Sequence, residues 1–316
     1  MNNNDYILHN HNPDGIDRRG FLKCMAWAGT GVLWTMSGGL LTSKLLGATD
    51  PLVGGDFSFV QISDSHIGFN KDANKDVIGT LQKAIAKINA LPAPPDFVLH
   101  TGDLSHLSEA EEFDALDQNL KSLKTGEIFY VPGEHDVISD NGALYLERFG
   151  KKSPGKGWYS FEKKGVHFVG LNNVLNIREG GLGVIGAEQL EWLKKDLEPL
   201  SSSTPVVVFA HIPLWAVYPQ WGWGTDDAEQ ALGFLKRFGS VTVLNGHIHQ
   251  IVKKVEGNIT FHTAMSTAFP QPAPGTAPKP GPMKVEADRL SSVLGITDVN
   301  YVEGKHTLAV VDSTLA

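Results

Sequence analysis

The stretch Phe57-Ser58-Phe59-Val60-Gln61-Ile62-Ser63-Asp64-Ser65-His66 decides the fold: six residues of strand character run directly into a carboxylate and an imidazole. The arrangement recurs. Apolar runs at 97–100, 128–131, 206–210 and 241–244 lead into Gly102-Asp103, Gly133-Glu134-His135-Asp136, His211 and Gly246-His247-Ile248-His249. Strand ends that aim several carboxylates and imidazoles at one place predict a cation there, because the same groups clustered alone repel or lie unsatisfied. On an extended strand, an Asp-x-His or His-x-His pair puts both side chains on one face. Two such pairs joined through Asp103 supply ligands for two ions sharing a bridging carboxylate, an arrangement that clamps a phosphate and generates a hydroxide nucleophile.

Working outward, apolar residues at helical spacing predict helices over 76–91, 186–197 and 225–238, and another beginning at Ser108, where Ser-Glu-Ala-Glu has capping-box spacing. The segments 158–161 with 166–171, and 251–255 with 259–263, read as hairpins turning at Lys164-Gly165 and Gly257-Asn258. A last hairpin is expected from 300–302 and 306–311. Strand-helix alternation followed by antiparallel pieces predicts an α/β protein, a layered sandwich with mixed sheets. Residues 269–286 are a proline-rich excursion, read as extended and solvated, with wrapping over the mouth of the site as the alternative.

With 316 residues, 41% apolar and 20% charged, the composition is that of a globular protein. The net charge of −8 argues against binding of nucleic-acid polymers, which requires a basic footprint, but leaves small phosphate esters open. The N-terminal 48 residues read as an export leader. Arg18-Arg19-Gly20-Phe21-Leu22-Lys23 followed by an uncharged, Gly-rich segment resembles a twin-arginine signal. Leu46-Gly47-Ala48 offers a cleavage site near Ala48, giving a periplasmic mature chain, residues 49–316, handled by the twin-arginine export machinery. Four glycines make the segment a poor membrane anchor. The only cysteine, Cys24, lies in the leader, so disulfides and thiolate ligands are excluded from the mature domain.

The five ordered blocks resemble those of the calcineurin-like metallophosphoesterases: Asp-x-His, Gly-Asp, Gly-Asn-His-Asp or Glu, a lone His, and Gly-His-x-His. The helix around Glu188-Gln189-Leu190-Glu191-Trp192-Leu193 is similar to one in that family's cyclic-nucleotide phosphodiesterase and purple-acid-phosphatase-like branches. The resemblance implies a four-layer α/β/β/α sandwich of two mixed sheets and hydrolysis of small phosphoesters, diesters in particular, by a metal-bound hydroxide. It also assigns roles. Asp64, His66 and His249 would hold one metal, Asp103 would bridge, and His211, His247 and Glu134 would hold the second. His135 would stabilise the transition state or protonate the leaving group, with Asp136 orienting it. Folded export lets the chain take up metal in the cytoplasm, so Mn or Fe is expected in one position, with Zn admissible in the other.

Glu134 departs from the family pattern, which has a neutral Asn there. Two divalent ions with Asp64 and Asp103 carry a formal +2; Glu134 brings this to +1, which favours substrates of low charge. Three readings stay open on this residue. Glu134 ligates the second metal of a working hydrolase; or it swings away, the second metal is weakly held, and the enzyme is sluggish or acts on something other than a phosphoester; or the fold persists as a non-catalytic metal-bearing binding or sensory protein of the envelope. Trp221 and Trp223, in the loop after His211, are candidates to stack on a base or aryl group or else to pack the loop. Asn172 and Arg178 are candidates for the substrate rim. The remaining histidines, His100, His106, His167, His262 and His306, are expected to fill ordinary hydrogen-bonding roles, with His262 a candidate to approach the metals from behind.

Overall fold

The computed structural model describes residues 32–37, 40–45, 56–302 and 308–316. The paired arginines and the cleavage site near Ala48 lie outside the described residues. Ahead of residue 53, β1 (Val32–Ser37) and β2 (Leu40–Leu45) form an antiparallel pair in a unit of their own. Among the described residues no helix is long and apolar enough to cross a membrane.

Eleven strands from 57 onward build two sheets. The first contains β3 (Phe57–Ile62), β4 (Phe97–His100), β5 (Ile128–Tyr130), β12 (Gly295–Tyr301) and β13 (Ala309–Thr314), in the order β13-β12-β3-β4-β5. Strands β3, β4 and β5 are mutually parallel, and β12 and β13 join antiparallel. The second contains β6 (Tyr159–Lys163), β7 (Val166–Gly170), β8 (Val206–Ala210), β9 (Val241–Asn245), β10 (Lys253–Glu256) and β11 (Ile259–Thr263), in the order β10-β11-β9-β8-β7-β6. Its interior is parallel and its two edges antiparallel. The predicted strands are therefore present, most with ends shifted by one or two residues; the last hairpin is displaced further, its strands running 295–301 and 309–314 where 300–302 and 306–311 were expected.

Period-two alternation explains how the sheets stack. In β3, Phe57 and Phe59 face the second sheet and join Phe97, Phe129, Phe168 and Phe209 in an aromatic layer, where Phe59 lies 4.8 Å from Phe97 with ring planes 8° apart. Val60 and Ile62 face the opposite way, onto α1 (Val77–Asn89) and α2 (Ala110–Leu120). The second sheet sends Val206, Val208 and Val243 against Leu190, Leu193 and Leu197 of α4 (Ala187–Leu197) and Leu235 of α5 (Ala228–Leu235). Each such buried aliphatic contributes about 1.5–3 kcal/mol. The result is the expected four layers, helix, sheet, sheet, helix.

Two details differ from the sequence reading. A helix, α3 (Ala143–Phe149), is too short to show periodicity and was not expected. The helix expected at Ser108 begins at Ala110, and the acid that turns back is Glu112 rather than Glu111. Glu112 Oε2 accepts from the backbone amides of His106 at 3.1 Å and Leu107 at 2.7 Å. The proline-rich segment folds back on itself: Met283 N donates to Pro270 O at 2.8 Å, and Gly281 N to Gln271 Oε1 at 3.1 Å. Gln271 Nε2 in turn donates to His247 O at 2.9 Å, which sets the base of this loop against the ligand clusters.

Candidate metal centre

All the clustered groups sit where β3, β4, β5, β8 and β9 end, the place where parallel α/β sheets bind their ligands. They do not sit on the strands themselves. Strand β3 stops at Ile62 and β9 at Asn245, and Asp64, His66, Asp103, His247 and His249 all have left-handed backbones, with φ of 55°, 40°, 52°, 70° and 54°. Asp and His tolerate this region better than most residues, and such strained positions collect at functional sites. Strand periodicity thus does not explain the convergence. Asp64 and His66 do share a cluster, but His247 and His249 turn into different ones. Neighbouring loops hold the turns in place, with Asp64 N donating to Gly102 O and His66 N to Asp103 O, both at 2.9 Å.

The glycines before the ligands are required by close approach. A Cβ on Gly102, whose φ is +97°, would lie 2.4 Å from His211 Nδ1, and one on Gly133 would lie 2.1 Å from Asp103 Oδ1.

Side-chain atoms gather in five overlapping groups, among them Asp64–His66–His249 and Glu134–His211–His247, which share no residue, and His66–His106–His135. In the first, Asp64 Oδ1 is 3.2 Å from His249 Nε2, and the Nε2 atoms of His66 and His249 are 3.3 Å apart. In the second, the Glu134 carboxylate reaches both imidazoles, Oε2 to His211 Nε2 and Oε1 to His247 Nδ1, each 2.9 Å. Asp103 Oδ2 stands between the groups, 3.4 Å from His66 Nε2 and 3.3 Å from His211 Nε2. Glu134 Oε2, His211 Nε2 and both ring nitrogens of His247 are buried with no hydrogen bond of good geometry. Buried polar atoms are seldom left so. Orphaned carboxylate and imidazole atoms converging within a few ångströms fit divalent cations.

The partners on the far side of each ring support this. His211 Nδ1 donates to Thr101 O at 2.7 Å and His249 Nδ1 to Phe269 O at 2.5 Å, so each ring turns its other nitrogen inward. Burial opposes charge on Glu134, but the His247 and His211 imidazoles outweigh it and hold the carboxyl well below its ordinary range. Burial likewise opposes charge on His211, and Asp103 and Glu134 overcome it and raise the ring well above the usual histidine value. Asp64, buried but flanked by His249 and His211, is brought down to about 2. Without cations, imidazolium charge balances these carboxylates; bound cations would take over that role and displace the protons.

His135 sits in the partly exposed mouth, with Nδ1 2.7 Å from His106 O. Burial works against its charged form, while Asp103 and Glu134 raise it overall. Asp136 does not orient it, contrary to expectation. Its carboxylate accepts from Gly133 N, Leu104 N, Ser105 N and Ser105 Oγ at 2.8–3.1 Å and so pins two ligand loops to each other. The group that holds the His135 ring is the carbonyl of His106, a residue the sequence offered no reason to single out beyond its place three positions after Asp103. His106 Nδ1 also lies 3.4 Å from His66 Nδ1, and its ring stacks on His135 at 4.7 Å and 16°. Burial, then His135, holds His106 down to about 4, and burial with the surrounding imidazoles of His135, His249 and His106 keeps His66 neutral.

The expected substrate residues have other work. Trp223 is fully buried, and Trp221 packs edge-on between it and Tyr218, with ring centroids 5.1 Å from each. Asn172 is buried, donating to Lys156 O and accepting from Val174 N. Arg178 is exposed and paired with Asp226 at 3.0 Å. His262 ties β11 to Asp312 of β13 at 2.9 Å.

Residues 57–251 match the calcineurin-like phosphoesterase family, and the chain belongs to it. It is accordingly a metal-dependent phosphoesterase, a hydrolase. It is 26% identical over 219 residues to a 3',5'-cyclic-nucleotide phosphodiesterase of Nostoc sp., covering 67% of this chain and 79% of that one. It is also 26% identical over 226 residues to a serine/threonine-protein phosphatase of Danio rerio, covering 62% and 71%. The solved structure of a dimetal phosphatase from Danio rerio shares the fold with a TM-score of 0.63 at 16% identity, covering 84% of this chain and 98% of that one.

Proposed function

We propose that the protein hydrolyses small phosphodiesters at a two-metal centre. Asp64, His66, His249 and Asp103 would hold one ion; Asp103, Glu134, His211 and His247 the other, with Mn or Fe in one position and Zn admissible in the second. The observation that carries this is Asp103 Oδ2 standing 3.4 and 3.3 Å from imidazole nitrogens of the two groups. Bound divalent ions supply Lewis-acid charge to the phosphoryl oxygens and lower the pKa of water. The chain's own residues do the rest. The His106 carbonyl fixes His135 in the mouth, where the anionic surroundings favour its protonated form and suit it to donate to a leaving oxygen. Glu134, turned onto His211 and His247, lowers the net charge by one, which favours a monoanionic diester over a dianionic monoester.

The test is kcat/KM on aryl phosphodiesters and monoesters, with metal content, for wild type and Glu134→Asn. The substitution should retain two metals and shift preference toward the monoester by about tenfold, equivalent to ~1.4 kcal/mol. Full occupancy by two metals with turnover of neither ester would refute the proposal. The Arg18-Arg19 motif further supports export to the envelope by the twin-arginine route. A double Lys substitution at these positions should hold the protein in the cytoplasm; undiminished export would exclude that route.

A further inference from the structure

We infer that His106 is a positioning residue serving both the first metal group and His135, through its side chain and its backbone respectively. This rests on the two-metal reading above for the direction of one hydrogen. If His66 Nε2 faces the cation, beside Asp103 Oδ2 and His249 Nε2, it carries no proton. A neutral imidazole has one N–H, so the proton of His66 is on Nδ1. The atom 3.4 Å from that nitrogen is His106 Nδ1, which must then accept, leaving the proton of His106 on its own Nε2. The His106 carbonyl accepts from His135 Nδ1–H at 2.7 Å, so His135 keeps Nε2 free. One residue thereby selects the tautomer of a ligand and, by engaging Nδ1–H of protonated His135, leaves its Nε2–H as the one that faces the mouth.

His106 is itself moored for this. Its backbone N–H lies 2.9 Å from Ile67 O and 3.1 Å from Glu112 Oε2. Its ring is stacked on His135 and meets Phe69 edge-on at 5.2 Å and 90°. Gly68, with φ +103°, lets the chain pass under Glu112: a Cβ there would lie 1.8 Å from Glu112 Oε1. The acceptor that orders the His66 ring is thus fixed by a carboxylate at the start of α2 rather than by the metal loops alone.

Zn²⁺ is the probe, titrated into the full metal-free chain in competition with a chromophoric chelator. His106→Ala should weaken the tighter Zn²⁺ by about 10–100-fold, the usual cost of losing a partner behind a ligand. His106→Asn, whose amide oxygen can stand where Nδ1 stood, should recover most of this. Wild-type affinity in His106→Ala would overturn the inference, as would His106→Asn binding no better than His106→Ala at equal Tm. Should His106→Ala fail to fold, ring-nitrogen NMR of the Zn-loaded wild type decides. Protons on His66 Nδ1 and His106 Nε2 are expected; the opposite tautomers would overturn the assignment. Neither readout involves ester turnover, so a failed substrate assignment leaves both standing.

Discussion

At one end of the cluster, Asp64 and His249 are sealed from solvent, His249 is held from behind by Phe269 O, and the Phe269 ring lies 4.7 Å over His66. At the other end, His211 has a comparable anchor in Thr101 O, but the Glu134 side chain is 24% exposed and the ring nitrogens of His247 make no well-formed hydrogen bond. The difference is one of preorganisation. A ligand whose second nitrogen is already bonded loses little freedom when a cation arrives, whereas a loosely held ring and a three-torsion acid must be ordered by the ion itself. The first position should therefore bind tightly, and the second should exchange.

Single-ligand removals set the two ends against each other most directly. His249→Ala should lower kcat/KM by about three orders of magnitude, equivalent to ~4 kcal/mol, and excess metal should not restore it. His247→Ala should cost about a hundredfold and be partly restored by added metal. Metal content alongside kinetics checks both, and equal, metal-insensitive losses would erase the asymmetry. Next in size, Trp223→Ala removes a fully buried ring from the loop that follows His211 and should cost about 3–5 kcal/mol of stability while leaving the tighter metal in place. Lost turnover at unchanged Tm would instead return that ring to the substrate side.

The smallest effect comes from a histidine outside the cluster. His167 lies between Glu162 Oε1 at 2.5 Å and Asp196 Oδ2 at 2.8 Å. Burial disfavours its charge, but hydrogen bonds to Asp196 and Glu162 raise it above the ordinary value of 6.5. A raised folded value stabilises fully below the unfolded one and is lost as pH rises through the folded one. Melting temperature should thus fall as pH is raised from below 6.5 through the raised value of this imidazole, a small effect because Glu162 is largely exposed. His167→Gln should flatten this slope. A wild-type slope that survives the substitution would assign it to the cluster instead.

The strands and the gathering of acids and imidazoles at their ends were legible because each carries its own local signal: a β-branched or aromatic run, then an acid or imidazole. What was not legible depends on contacts between loops distant in sequence. Asp136 reads as a partner for its neighbour His135, yet its four donors come from Gly133 and from residues 31 or 32 positions earlier. His106 looked ordinary because its importance lies in a nitrogen 40 residues from His66 and in a carbonyl, and a carbonyl has no sequence signature. The strand-periodicity reading of the ligand pairs failed because the chain leaves the extended conformation one or two residues before the first ligand.

The left-handed turns also bear on how such a centre can change over time. At Asp64 and Asp103 the backbone disfavours β-branched and bulky side chains, so the residues within easy reach are Asp, Asn, His and Gly. Glu134 belongs to a short 3-10 turn and is absent from the positive-φ positions. A longer, charged side chain can therefore enter there without rebuilding the loop. Of all the ligand positions carrying carboxylates, 134 is the one where the charge of the site is free to drift, and it is where this chain differs from the pattern it otherwise follows.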